Sequence, residues 1–281
     1  MTAWVGISGY DYPGWRGSFY AADLPRRKWL EHASRELNSI ELNGTFYSLK
    51  SPAAFAAWRE QVPKRGFLFA IKGSRFITHM LKLRRCEVPL ANFYASGVLE
   101  LGKLTGPFLW QLPASYAYDE ERMEEFLVLL PRHTADAERL ARGHDGRLRC
   151  GALVEARERK SYRHAFEVRH PSYFQPPFYD QLRRHGCALV LADTAGKFPY
   201  AEELTADFVY VRLHGSRELY RSGYDDAELD GWAERLRRWA KGPPSRDVYV
   251  YFDNDAKQHA PHDARRLAQR IGALPRAKEA A

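Results

Sequence analysis

The feature that most limits the fold is a rhythm. Short apolar runs rich in β-branched and aromatic residues recur along the chain, each followed by a loop and then an amphipathic helical stretch. The runs are Trp4–Ser8, Ser39–Leu42, Phe67–Lys72, Pro107–Leu112, Ala165–Arg169, Ala188–Asp193, Phe208–His214 and Val248–Phe252. Eight strands alternating with helices in 281 residues predict an α/β fold, a single (β/α)8 TIM-type barrel. A doubly wound open sheet is the rival. It loses its best support at the first turn, where Gly6–Gly14 reads GISGYDYPG and not the dinucleotide fingerprint.

Several helices announce their ends. Ser51 is an N-cap with Pro52 in the first turn, and Phe55 and Trp58 share a face. Asp119 precedes a stripe of Met123, Phe126, Leu127 and Leu130. Gly186 stops the Phe178–His185 segment. Leu229, Trp232, Leu236 and Trp239 mark a late helix, closed by Gly242, Pro243 and Pro244. The charged stretch Arg132–Arg163 is longer than one connection needs. It reads as an inserted helix from Thr134 and a surface loop, between strands four and five. With no internal repeat, residues 1–281 read as one domain.

Composition excludes some classes. At 45% hydrophobic and 28% charged residues, the chain is neither disordered nor collagen-like. No stretch approaches the ~20 apolar residues of a membrane span. The start, MTAWVGISGY, lacks the basic flank and apolar run of a secretory signal. Cys86, Cys150 and Cys187 lie far apart with no metal or redox spacing, which suits a reducing cytoplasm. No nucleophile elbow, phosphate-binding loop or H-E-x-x-H occurs. The net charge of +8 is weak evidence for an anionic partner, since solubility and an arginine-rich composition account for it more simply.

In a barrel, side chains alternate between lumen and helix layer, and sites form at the carboxyl ends of the strands. Strand two carries Glu41 opposite in direction to Ile40 and Leu42. Strand three ends in Lys72, strand four offers Gln111, and strand five sets Glu167 and Arg169 on one face. Strand six ends in Asp193, strand seven sets Tyr210, Arg212 and His214 on one face, and strand eight runs into Asp253 and Asn254. Buried charges cost several kcal/mol each unless paired, so such a ring needs a reason. One reason is an ion-pair network closing the mouth; the other is a ligand.

Charge balance favours one kind of ligand. Glu41, Glu167 and Asp193 are matched by Lys72, Arg169 and Arg212, before His214 and Asp253 are considered. A multi-metal cage carries excess carboxylate, so interleaved cations argue against it. One metal held by Glu41, Glu167, Asp193 and His214 stays open. Cations beside carboxylates suit a small anionic substrate, with a carboxylate as acid or base. Lys72, Arg169 and Arg212 would hold the anion, with Gln111, His170 and Asn254 beside them. Glu167 or Asp193 would move protons, with His214 and Glu41 assisting. The loops add Tyr10, Tyr12, Trp15, Phe19, Tyr20, Phe46 and Tyr47, which could stack on a flat ligand or pack the loop. His79, after strand three, is a base or a plain loop residue.

Taken in order, these pieces resemble the YecE-like family, domain of unknown function 72. The resemblance runs from Gly6 to about Leu267 and rests on GISGY, WRGSFY (Trp15–Tyr20), ELNGTFY (Glu41–Tyr47), FAIK (Phe69–Lys72), ITH (Ile77–His79), GPFLWQLP (Gly106–Pro113), FEVRHP (Phe166–Pro171), AD (Ala192–Asp193), YVRLHG (Tyr210–Gly215) and FDND (Phe252–Asp255). It implies a TIM-type barrel and no established reaction. Tyr10 and Tyr173 stand where the family typically has Trp, and Asp253 where it has Asn, adding a negative charge. Some members are similar in shape to metal-dependent phosphodiesterase barrels of DNA repair. The alternative expectation is a nucleic-acid-binding barrel, in one form a metal-assisted phosphodiesterase, gripping an unstacked strand with arginine-rich rim loops and aromatics. A non-catalytic binding protein is the third.

Overall fold

The computed structural model describes residues 2–275; Met1 and residues 276–281, part of the expected single domain, lie outside them. Eight parallel strands close into a barrel in sequence order: β1 (Ala3–Ser8), β2 (Ser39–Leu42), β3 (Leu68–Lys72), β4 (Thr105–Gln111), β5 (His164–Glu167), β6 (Ala188–Asp193), β7 (Phe208–Leu213) and β8 (Asp247–Phe252). Each expected strand is present, with ends moved by up to two residues. Closure needs a close approach at Gly6, which pairs with Ser39. A Cβ there would lie 2.0 Å from the Ser39 carbonyl oxygen.

The helices are α1 (Trp29–Glu36), α2 (Gly44–Tyr47), α3 (Pro52–Gln61), α4 (Glu87–Ala95), α5 (Glu120–Leu129), α6 (Thr134–Ala141), α7 (Pro176–Arg184), α8 (Asp226–Lys241) and α9 (His259–Ile271). None is long and apolar enough to cross a membrane. The expected ends hold. Ser51 Oγ accepts from Ala54 N at 3.2 Å, and Asp119 Oδ1 from Arg122 N at 3.1 Å. Gly186 takes the left-handed φ of +58° just beyond α7. Asp225 and Glu228 form a capping box on α8.

The insertion between β4 and β5 contains α6, which begins at Thr134 and packs on α4. An amide pair fastens the loop beyond it: Asn92 Nδ2 donates to Asp145 Oδ1, and Asp145 N to Asn92 Oδ1, both at 3.0 Å.

Alternation along the strands makes two cores. Val5, Ile7, Ile40, Phe69, Ile71, Phe108, Phe166, Leu191, Val211 and Val250 face the helices. Leu68, Ala70, Leu109, Ala165, Val190, Phe208, Tyr210, Tyr249 and Tyr251 fill the lumen. Polarity rises toward the carboxyl end. The Tyr251 and Ser39 hydroxyls meet at 2.7 Å, and Tyr210 OH donates to Glu41 Oε2 at 2.6 Å. The last lumen position of most strands is charged or amide-bearing.

Candidate functional site

The lumen's carboxyl end is organised around Arg212, which has no exposed surface. Its Nη1 donates to Glu167 Oε2 at 2.6 Å. Its Nη2 donates to Glu41 Oε1 at 2.8 Å, Ser8 Oγ at 2.8 Å and Asp253 Oδ2 at 2.9 Å. Ser8 Oγ also bonds Glu41 Oε1. Glu167 Oε1 accepts from Gln111 Nε2 at 2.8 Å and from Arg169 Nε and Nη2 at 2.9 and 2.8 Å. His214 Nδ1 lies 3.0 Å from Asp253 Oδ2, and its Nε2 is 3.4 Å from Arg212 Nη1.

This wiring sets the protonation states. Burial alone would raise the Glu167 carboxyl, but Arg212 and Arg169 outweigh it and hold it well below the usual range. Asp253 is largely enclosed, with 14% of its side chain exposed, and Arg212, His214 and Lys72 outweigh that burial and pull it down. Asp255, beyond it, has no such cation in contact among the described residues. Burial and the Asp253 charge push it up to about 6.

Lys72 differs from the two arginines. It is only 7% exposed, yet its ammonium has no hydrogen-bond or ion-pair partner among the described residues. It sits over the Phe46 ring, with Nζ 4.4 Å from the centroid. Burial, then Arg212, brings it down to about 8. The His79 ring meets Phe46 edge-on at 5.1 Å. Burial, then Lys72 and Arg169, brings that imidazole down to about 4, so it is neutral at pH 7. Arg169 lies 4.6 Å over Phe198 and donates to Tyr220 OH at 3.1 Å, while its Nη1 has no partner among the described residues. Among the described residues, Lys72 Nζ and Arg169 Nη1 are thus unpaired cationic donors of the mouth; Arg212 Nε also lacks a partner but is fully buried.

The structure gathers Glu41, Lys72, Gln111, Glu167, Arg169, Arg212 and His214 at one end of the lumen. Several other expectations need correction. Asp193 shares the parity of Leu189 and Leu191, so it points to the helix layer, where it accepts from Tyr224 OH at 3.0 Å. Asn254 also points outward; its Nδ2 donates to Asp263 Oδ2 and to Ser222 O, both at 3.0 Å. His170 turns to Ser172, accepting from its backbone N–H at 3.2 Å. Arg212 has no exposed atom to offer a ligand, because three carboxylates enclose it.

The aromatics are sorted by packing. Trp15 and Tyr20 are buried, and Tyr20 stacks on Trp29 at 4.7 Å. Tyr10 is half-buried against the outer core. Neither of the buried pair is a ligand platform. Of the aromatics after β1, Tyr12 reaches toward the charged ring: its OH donates to Ser8 O at 2.8 Å, and Asp255 and Asp253 add to the burial that raises it. Sequence reasoning also passed over Ser8, Asp255 and Tyr220. Ser8 was open to the parity argument, since it follows Trp4 and Gly6 on the inward face. Tyr220 lies in a loop whose fold no local pattern gives.

A metal does not suit this arrangement. No group of three or more His, Cys, Asp or Glu side chains is placed to hold one among the described residues. The space between Glu41, Glu167 and Asp253 is filled by the Arg212 guanidinium, which donates to all three.

The family model described as "Protein of unknown function DUF72" matches residues 4–281. The UPF0759 protein YecE of Escherichia coli (strain K12) is 23% identical over 305 residues, covering 97% of this chain and 96% of its own. The UPF0759 protein YunF of Bacillus subtilis (strain 168) is also 23% identical, over 95% of this chain and 93% of its own. The crystal structure of a DUF72 family protein from Thermotoga maritima superposes with a TM-score of 0.75 at 23% identity, covering 97% of this chain and all of that one.

Proposed function

The chain belongs to the DUF72 family, and we propose that its barrel mouth binds a small anionic ligand, phosphate esters among them, and acts on it by acid–base chemistry. The observation that carries this reading is Lys72. A buried ammonium normally has a carboxylate partner, because leaving it unpaired costs several kcal/mol. Three carboxylates stand near, and all three are turned to Arg212. The partner missing from Lys72 is what a bound anion would supply. Arg169 Nη1 offers a second donor, on a guanidinium held flat by Glu167, Phe198 and Tyr220.

In this reading the proton-carrying group is Asp255, which follows the charged end of β8 and whose carboxyl is raised to about 6, rather than Glu167, which the arginines hold ionised. The test is thermal unfolding with inorganic phosphate or lactate. Either anion should raise Tm for the wild type, and Lys72→Met should abolish the rise. An equal rise in both proteins would overturn the reading.

A further inference from the structure

Resting on that reading of the mouth, we propose that Lys72 is an amine nucleophile, and that the ligand class is a small anion carrying an aldehyde or ketone, captured as an iminium on Nζ. An anion site alone needs only a cation, and Arg169 already provides one. A lysine whose ammonium is held on an aromatic face, without an acceptor, is suited to more. Such a lysine reaches its nucleophilic form more readily than one locked in an ion pair. Lys72 ends β3, so its amine opens toward the mouth, where a substrate would arrive.

The surrounding groups favour the same chemistry. Lys72 faces Glu41 on β2, Glu167 on β5, Arg212 on β7, Asp253 just after β8 and His79 on the loop after β3. Burial, then the arginine, disfavours its charge and outweighs the three carboxylates that favour it. Its descent to about 8 follows, and it places a useful fraction of free amine just above neutral pH. His79, neutral at that pH, would leave a carbonyl oxygen a polar but uncharged neighbour. The loop carrying His79 has an unusual backbone. It makes a π-helical turn at Phe76–Met80, then puts Lys82, Leu83 and Arg85 at φ of 49°, 66° and 49°. Strain of this kind collects where a site over-determines its loop.

The step balances without a co-reactant. The ammonium loses a proton to solvent, and the amine lone pair forms a C–N bond as the carbonyl π bond opens. The carbonyl oxygen takes up a proton and the nitrogen gives up a second one to solvent, which leaves the neutral carbinolamine with its nitrogen lone pair restored. The C–O bond then breaks with a second proton, water leaves, and the nitrogen lone pair closes the C=N bond. In sum, ammonium plus carbonyl gives iminium plus water.

Borohydride reduction tests this, because it fixes the iminium as a stable secondary amine. The wild-type protein is incubated with pyruvate in one arm and glycolaldehyde phosphate in another, reduced, and mapped by peptide mass spectrometry. Lys72 should be modified at least about tenfold faster than exposed Lys28 or Lys103, more so at pH 8.5 than at pH 6.5. The faster arm identifies the anionic group the site prefers. Modification of Lys72 no faster than of Lys28 in either arm overturns the proposal. Lactate, which has the carboxylate but no carbonyl, separates the two readings. A lactate-induced rise in Tm that needs Lys72, without a reduced adduct, leaves the anion site standing and overturns only the amine chemistry. Neither a rise nor an adduct overturns both.

Discussion

At the level of single residues, Arg212 and Arg169 look alike in sequence and differ in what they hold together. Removing Arg212 strands Glu41, Glu167 and Asp253 as buried carboxylates. Arg212→Met should therefore cost about 3–5 kcal/mol in chemical denaturation. Removing Arg169 leaves Glu167 with Arg212 and Gln111, so Arg169→Met should cost only about 1–2 kcal/mol. Similar losses in both would mean that the network is not centred on Arg212. Lys72 behaves in the opposite sense. In the folded chain it releases its proton at about 8, and in the unfolded chain near 10.4. Between those values the unfolded chain binds the extra proton, so stability rises with pH; below 8 the penalty is present in full. Lys72→Met should then be more stable than wild type at pH 7, by up to about 3 kcal/mol, and the gap should narrow by pH 9.5. Lys160 is lowered to about 8 as well, so the difference between the two proteins, not the wild-type slope, reports on Lys72. Which residues point inward was legible, because parity has a period of two. That Lys72 lacks a partner was not, because it depends on which way three carboxylates turn.

Among the helices, one with a single covered face was legible and one covered on both faces was not. The stripe of α8 stands out because Leu229, Trp232, Leu236 and Trp239 are buried while the opposite face meets water. In α4, residues Leu90 to Ala95 are all buried, between the barrel and the inserted α6, so no amphipathic pattern marks it. Asp193 misled for a related reason: its place at a strand end suggested the ring, while its parity assigns it to the outer layer. The loop after β3 gives a prediction at this scale. Arg85 is exposed and left-handed, which costs a non-glycine residue about 1–2 kcal/mol. Arg85→Gly should relieve part of this and raise stability by about 1 kcal/mol, after the entropy a glycine adds to the unfolded chain. A clear loss in denaturation would show that the Arg85 side chain, and not its backbone, matters to the loop.

The whole molecule is polarised along one axis. Aromatic and aliphatic side chains fill the lumen below, tyrosine hydroxyls bridge the middle, and charges crown the carboxyl end. That gradient was foreseeable from the strands, whereas the distribution of the +8 net charge was not, because pairing on the surface decides it. Many arginines are spent locally: Arg26 on Asp11, Arg183 on Asp180 and Glu203, Arg270 on Asp226 and Asp230. Exposed pairs of this kind add little stability, but each cancels a charge that could otherwise face a phosphate backbone. At the mouth, Glu41, Glu167 and Asp253 match Arg212, Arg169 and Lys72 in formal charge. A small anion needs only the two unused donors, but a nucleic acid needs several adjacent ones. Oligonucleotide binding should therefore be of the weak, non-specific kind, with Kd of roughly 10–100 μM and a fall as salt rises. Fluorescence anisotropy on single- and double-stranded DNA should give the same affinity for the wild type, Lys72→Met and Arg169→Met, because the mouth takes no part. Sub-micromolar binding lost in either variant would reverse the assignment and make the mouth a nucleic-acid site.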